Sequence, residues 1–238
     1  MILFETAPAF EHIEGKVVFL RVDFNVPIEN QKVTDTTRID ASLPTIQKLR
    51  QMGARIVLAS HLGRPKGKKN PAFSMLPVGE KLSEILNEEI ILADDCIGDC
   101  VGKLITDLRP SKMLLLENLR FYAEEENNDE NFAKALAKKS DFYINDAFGS
   151  SHRSHASIVG IPKFVNASAF GYLMHKEIFH INKLLKEAKP PFVAVVGGAK
   201  VSDKITVLKN LLPLVNDIII GGAMAYTFLQ SAEYKVGK

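Results

Sequence analysis

Long apolar runs are missing from this 238-residue chain: none approaches the ~18 residues that a helix needs to cross a bilayer. The opening Met1-Ile2-Leu3-Phe4-Glu5 lacks the basic stretch and small-residue cleavage site of a secretion signal. Neither a membrane role nor export is expected. Cysteine is scarce. Cys96 and Cys100 fall four residues apart on an expected helix. A disulfide or metal role is conceivable there, but two free thiols in a reducing cytoplasm is the simpler expectation. A surplus of one charge is missing too, since 30 basic residues against 28 acidic ones leave a formal net charge of +2. With basic and aromatic residues little interleaved, this argues against nucleic acid as a partner. Arginine is absent beyond Arg153, so residues 154–238 carry positive charge only as lysine and any protonated histidine. Neither standard phosphate fingerprint occurs: there is no G-x-x-x-x-G-K-[ST], and no G-x-G-x-x-G follows a strand. Internal repeats are also absent.

What is present is ordinary globular material, 46% hydrophobic and 24% charged, enough for one or two domains at ~150 residues each. Strand-like runs at Val17–Val26, Arg55–His61, Glu89–Ala93, Met113–Leu119 and Phe142–Phe148 alternate with helical runs at Ala41–Gln51, Leu76–Asn87, Ile97–Leu108 and Glu130–Lys139. Such alternation predicts an α/β fold, a doubly wound parallel sheet with helices on both faces. Phe170–Ala188 has helical periodicity and stops at Pro190-Pro191. A second βαβ unit follows, with strand Phe192–Val196, helix Ser202–Leu212 and strand Asp217–Ile220. The expected organisation is a first lobe over residues 1–169, a connecting helix over 170–189, and the beginning of a second lobe over 190–238. Two strands and two helices cannot close a doubly wound sheet, so the second lobe looks truncated. The acidic patch Glu124–Glu130 reads as a solvated loop and helix start.

The most informative stretch is Gly197-Gly198-Ala199-Lys200-Val201-Ser202-Asp203-Lys204. It follows an apolar strand and leads into a helix with Ser202 as the expected N-cap. Outward backbone N–H groups at such a turn attract anions, and Lys200 and Lys204 add positive charge. Plain turn chemistry is the bland alternative for the glycines, as it is for Gly221-Gly222 after the next strand. In the first lobe, ligands are expected beyond the carboxyl ends of the strands. The residues following those ends include Asp23, Asn25 and Arg38; His61 and Arg64; Arg120; and His152, Arg153 and His155. Any one arginine there reads as a surface residue. Four together imply a small, highly anionic ligand, because a guanidinium captures phosphate or carboxylate through paired donors. Asp23 and Asn25, at same-face spacing, suit a ligand hydroxyl. The two histidines after Ser151 stay open between structural and catalytic roles. Lys16 and Arg21 carry no assigned role.

Taken in order, Arg21–Pro27, His61–Pro65, Leu116–Phe121, Ser151–Ser157, Gly197–Lys204 and Gly221–Ala225 closely resemble the phosphoglycerate kinase family along essentially the whole chain. The resemblance implies a two-lobed glycolytic phosphotransferase acting between 1,3-bisphosphoglycerate and ADP. It implies a 3-phosphoglycerate site of Asp23, Asn25, Arg38, His61, Arg64, Arg120 and Arg153. It also implies nucleotide loops at Gly197, Gly198, Gly221 and Gly222, with Lys200 on the nucleotide phosphates. Lys204 and Arg38 would stabilise the phosphoryl group in flight. ATP or ADP with Mg2+ would be the cofactor, the metal held mainly by nucleotide and by parts of the family's chain that this sequence lacks; no metal ligand is assigned here. The full-length protein would be a cytoplasmic monomer, and this polypeptide alone is expected to lack kinase activity. The competing expectation is a non-enzymatic module for sugar phosphates or nucleotides, which would not need Lys204.

Overall fold

A computed structural model describes residues 2–202 and 204–237. Strand β1 (Val17–Arg21) is buried along its whole length, as expected for an apolar run flanked by sheet on both sides. A small hairpin, β2 (Ile28–Glu29) and β3 (Lys32–Val33), leads into α1 (Thr37–Gln51). Then come β4 (Arg55–Ala59), α2 (Leu76–Leu86), β5 (Ile91–Leu92), α3 (Asp99–Asp107) and β6 (Met113–Leu115). The short α4 (Ala123–Glu126), α5 (Glu130–Ala137), β7 (Phe142–Asn145), β8 (Ala167–Phe170) and α6 (Tyr172–Glu187) follow.

Six of these strands form one sheet in the order β5-β6-β4-β1-β7-β8, and every pairing in it is parallel. The pleat sends alternate residues to opposite faces. Val18 and Leu20 join Ile56, Leu58 and Ile144 in a core with Ile46 and Leu49 of α1 and Val78 and Leu82 of α2. Val17 and Phe19 join Val57, Leu114 and Tyr143 in a second core with Val101 and Ile105 of α3 and Phe132 and Leu136 of α5. Helices thus cover both faces, and the predicted doubly wound α/β fold is what the chain adopts. From β1 the chain leaves toward β4, and from β7 it leaves the other way toward β8. The carboxyl ends of β1 and β7 therefore border a topological switch point, where such sheets open a crevice.

The elements are shorter than the apolar patterns suggest. The run predicted to continue to Val26 ends as a strand at Arg21; Val22 N–H still reaches the Ala59 carbonyl at 3.0 Å, and beyond it side chains take over as backbone partners. Phe24 N–H donates to Ser60 Oγ at 2.9 Å and Asn25 N–H to Asp23 Oδ1 at 3.3 Å. Asp23 and Asn25 consequently sit on a loop, not on one face of a strand. The β2–β3 hairpin and β8 were not anticipated. β8 consists of Ala167-Ser168-Ala169-Phe170, too weakly apolar to register as a strand, and Phe170 belongs to it and not to the helix. Cys96 precedes α3 and only Cys100 lies on it, so the pair does not share a helix; both are free thiols.

The chain divides into two units, Met1–Glu177 and Ile178–Lys238, the division falling within α6. In the second, β9 (Val193–Gly197) pairs in parallel with β10 (Asp217–Gly221), accompanied by α7 (Ile205–Leu211) and α8 (Met224–Ser231). The helix starts later than expected: α7 opens at Ile205 with Lys204, and not Ser202, in the capping position. Asp203 lies outside the described residues. No helix among the described residues is long and apolar enough to cross a membrane.

Candidate functional site

Residues from four strand ends meet at the carboxyl edge of the first unit's sheet. Asp23, on the loop after β1, accepts from Arg38 of α1, with Nη1 to Oδ2 at 2.7 Å. Its carboxylate is pressed by Gly149, where an added Cβ would lie 2.6 Å from Oδ2. Asp23, Thr37, Arg38 and Ala41 line a cleft of about 260 Å³ with Phe148, Gly149, Leu173 and Glu177. This cleft lies at the β1–β7 switch point. The Arg38 side chain keeps 52% exposure, so part of its guanidinium is available to a ligand.

The second part of the mouth is the loop His61-Leu62-Gly63-Arg64, and it is clamped from three sides. Gly63 N–H donates to Asn25 Oδ1 at 2.8 Å, and Gly63 C=O accepts from Arg120 Nη1 at 2.9 Å. Asn118 is fully buried. Its Oδ1 accepts from Leu62 N–H and its Nδ2 donates to the carbonyls of Leu62 and Phe73. Gly63 itself needs to be glycine. Its φ is +60°, and a Cβ there would lie 2.4 Å from the Phe73 ring.

The predicted binding residues therefore divide. Arg38 and Arg64 are exposed or half-exposed, Arg153 is half-buried, and Asn25 and Arg120 are already engaged by the protein. Arg120 is 4% exposed and adds an ion pair to Glu126 at 3.3 Å. His61 is nearly buried, and its ring is held neutral. Burial first, then the positive charge of Arg21, Arg120 and Arg153, pushes its pKa down to about 2. His155 is buried beside Glu125, with Nδ1 to Oε1 at 3.7 Å. Burial lowers its pKa and Glu125 opposes that. His152 is exposed.

Three residues beneath the mouth escaped the sequence reading. Arg21, given no role, is the last residue of β1 and is fully buried, paired in register with Ala59 and Asn145. Its signal was available: a lone charge closing an apolar strand. Glu125, read as part of a solvated acidic patch, is fully buried and accepts from Ser157 N–H and Oγ. Nothing in a run of glutamates distinguishes the one that turns inward. Asp146 follows β7 and accepts at Oδ1 from Met174 N–H in the first turn of α6. Burial raises its pKa to about 6.

In the second unit the two glycine pairs lie against each other. Gly197 and Gly221 are partners at the ends of β9 and β10. A Cβ on Gly198 would meet Lys204 Cε at 2.8 Å and Met224 Sδ at 3.1 Å. One on Gly222, whose φ is +66°, would meet Gly198 O at 3.2 Å. The Lys204 stem thus packs over Gly198, whereas Lys200 is exposed on the loop. Among the described residues no group of three or more His, Cys, Asp or Glu could hold a metal.

Comparison with known proteins places this arrangement. A family model described as phosphoglycerate kinase matches residues 9–238. The phosphoglycerate kinase of Anaeromyxobacter sp. (strain Fw109-5) is 54% identical over 229 residues, covering 95% of this chain and 58% of its own length. That of Borrelia garinii subsp. bavariensis is 49% identical over 234 residues, with 98% and 59% covered. The structure of phosphoglycerate kinase from Coxiella burnetii superposes with a TM-score of 0.85 at 38% identity, over 97% of this chain and 58% of that one. The Pyrococcus horikoshii OT3 phosphoglycerate kinase gives 0.86 at 32% identity, over 100% and 59%. The chain therefore spans somewhat under three fifths of the length of the relatives it matches. On the family match, the identity to these relatives and the shared fold, this chain belongs to the phosphoglycerate kinase family.

Proposed function

We propose that the complete protein transfers a phosphoryl group reversibly between 1,3-bisphosphoglycerate and ADP, giving 3-phosphoglycerate and ATP in glycolysis, and that this polypeptide alone does not turn over. The first unit holds the acid and the second begins the nucleotide site. The observation that carries this reading is the convergence of Arg38, Arg64, Arg120 and Arg153 with Asp23, Asn25 and His61 at the sheet's carboxyl edge. In it Arg120 and Asn25 shape the loop bearing His61 and Arg64, while Arg38, Arg64 and Arg153 meet the ligand's charges. In the second unit, Gly197, Gly198, Gly221 and Gly222 let the nucleotide approach the backbone, Lys200 meets its phosphates, and Lys204 meets the transferring group.

The acceptor is a carboxylate, already deprotonated at neutral pH, so the residues need supply no strong general base. They position the reactants in line and neutralise charge on the equatorial oxygens. Arg38 and Lys204 are assigned that role. Mg2+ would arrive on the nucleotide phosphates, held further by parts of the family's chain outside these residues. A cytoplasmic protein, monomeric at full length, accompanies this reading.

Calorimetry of this chain with 3-phosphoglycerate, and 2-phosphoglycerate as control, tests the first unit. Selective binding that disappears in Arg38→Ala is expected, and equal binding of the two acids would refute the site. For the second unit, Lys204→Ala in the complete enzyme is expected to cost ~3–4 kcal/mol of transition-state stabilisation, seen as a fall in kcat with little change in 3-phosphoglycerate affinity. Unchanged turnover would remove Lys204 from the mechanism.

A further inference from the structure

Behind the anion mouth runs a buried hydrogen-bond relay that the proposed chemistry does not itself use. Glu125 accepts from Ser157 twice, from N–H at Oε2 over 2.9 Å and from the hydroxyl at Oε1 over 2.5 Å. With its hydrogen committed to Glu125, Ser157 Oγ is free to accept, and Arg21 Nε donates to it at 2.8 Å. A second Arg21 nitrogen, Nη1, donates to the Val22 carbonyl. The third, Nη2, stands 3.2 Å from His61 Nδ1. Arg21, Glu125 and Ser157 are all fully buried, so water does not compete for these bonds.

The last contact allows one polarity only. A guanidinium has five donors, no acceptor, and stays charged in proteins. His61 Nδ1 must therefore accept, and the ring proton resides on Nε2. Protonating Nδ1 would set one N–H against another. Nε2 has no hydrogen-bond partner among the described residues, yet it is not among their buried unpaired atoms. It is the side of the ring left for a ligand.

We propose that Arg21, held by Ser157 and Glu125, is a positioning residue that fixes His61 as the neutral Nε2–H tautomer, so that His61 meets the anionic substrate as a hydrogen-bond donor and not as a cation or a base. The identity of the anion rests on the function proposed above, whereas the tautomer does not. The surroundings of the ring agree. Arg21 faces it from β1, Arg120 from the turn after β6, and Arg153 and His155 from the loop after β7, and all oppose a further positive charge. Positive charge for the ligand then comes from guanidinium groups, which stay charged in proteins as a class, and not from the imidazole.

Long-range 1H–15N NMR of the 238-residue chain labelled in histidine nitrogen reads the tautomer directly, with the His61 signals assigned by their loss in His61→Gln. The expected spectrum shows Nε2–H, constant from pH 5 to 8, with the Nε2 resonance moving when 3-phosphoglycerate is added. An Nδ1–H pattern, or a titration midpoint within that range, overturns the lock even where 3-phosphoglycerate binds, and leaves the substrate reading standing. A locked ring whose Nε2 ignores saturating 3-phosphoglycerate overturns the donor role. Arg21→Met is expected to bring the His61 titration into the measured range or to mix the tautomers. A folded Arg21→Met chain with pure, non-titrating Nε2–H overturns the part given to Arg21. If that variant does not fold, Ser157→Ala is read the same way: some Nδ1–H signal is expected, and its complete absence removes Ser157 and Glu125 from the device.

Discussion

At Gly63 the backbone conformation and the neighbour space make the same demand. A Cβ there would suffer both the left-handed φ and the Phe73 ring, whereas Gly15, with φ +68°, has open space around the same position. Gly15→Ala is expected to cost about 1 kcal/mol from the backbone alone. Gly63→Ala should cost about 2–4 kcal/mol, because the ring must also move. Urea unfolding of the two variants checks this, and equal losses would mean that Phe73 yields freely. Asp146 supports a second expectation. Its folded pKa of about 6 lies above the ordinary carboxylate value of 3.8 because burial disfavours the charge, and its Oδ2 has no partner among the described residues. The folded state therefore holds a proton that the unfolded state releases between about pH 4 and pH 6. Stability present below pH 4 is lost as pH rises through that window, by about 3 kcal/mol at ~1.4 kcal/mol per pKa unit. Asp146→Asn should be stabilised relative to the parent as pH rises from 4 to 7. Parallel stability curves for the two proteins would contradict the assignment. Neither Gly63 nor Asp146 was legible as special in the sequence. A glycine reveals its φ only when the loop is built, and a carboxylate reveals its burial only when the helix above it is in place.

At the scale of elements, the loop after β4 depends on a side chain of another strand end. Asn118 uses its amide as a substitute for the backbone partners that Leu62 and Phe73 would find in regular structure. Asn118→Ala leaves those groups buried and unpaired, and should cost about 2–4 kcal/mol. It should also weaken 3-phosphoglycerate binding, since His61 and Arg64 ride on that loop; calorimetry on a variant shown to be folded checks this. Full affinity would mean that the loop keeps its shape without the amide. The major elements were legible because their apolar periodicity is strong: β1, β4, β6, β7 and the four larger helices between them fall within the predicted segments or overlap them. Boundaries were not, because apolar residues such as Val22, Phe24 and Leu116 continue beyond the ends of their strands and stay in the two cores. The β2–β3 hairpin is two residues on each side, too short for any periodicity. The arginine mouth was legible as residue types after strand ends. What escaped was its division into residues available to a ligand and residues occupied with one another, which depends on hydrogen bonds between distant segments.

For the whole molecule, the two units differ in how their strands are covered. β1 is buried throughout, and β4 is buried from Ile56 onward. In the second unit Val195 of β9 is 74% exposed and Ile219 of β10 is 55% exposed, and a two-stranded sheet is a weak unit by itself. Amide hydrogen exchange should accordingly be slowest in β1, β4 and β7 and many-fold faster in β9 and β10. Uniform protection across both sets would show that another surface covers the second pair. The clamp on Gly63 has a different consequence, which is kinetic. The loop of His61 and Arg64 is set by Asn25, Asn118 and Arg120 when the chain folds, so its conformational entropy is surrendered before any ligand arrives. Preorganised in this way, that half of the mouth has no closing step to wait for, and the speed of capture passes to diffusion and to the steering field of the arginines.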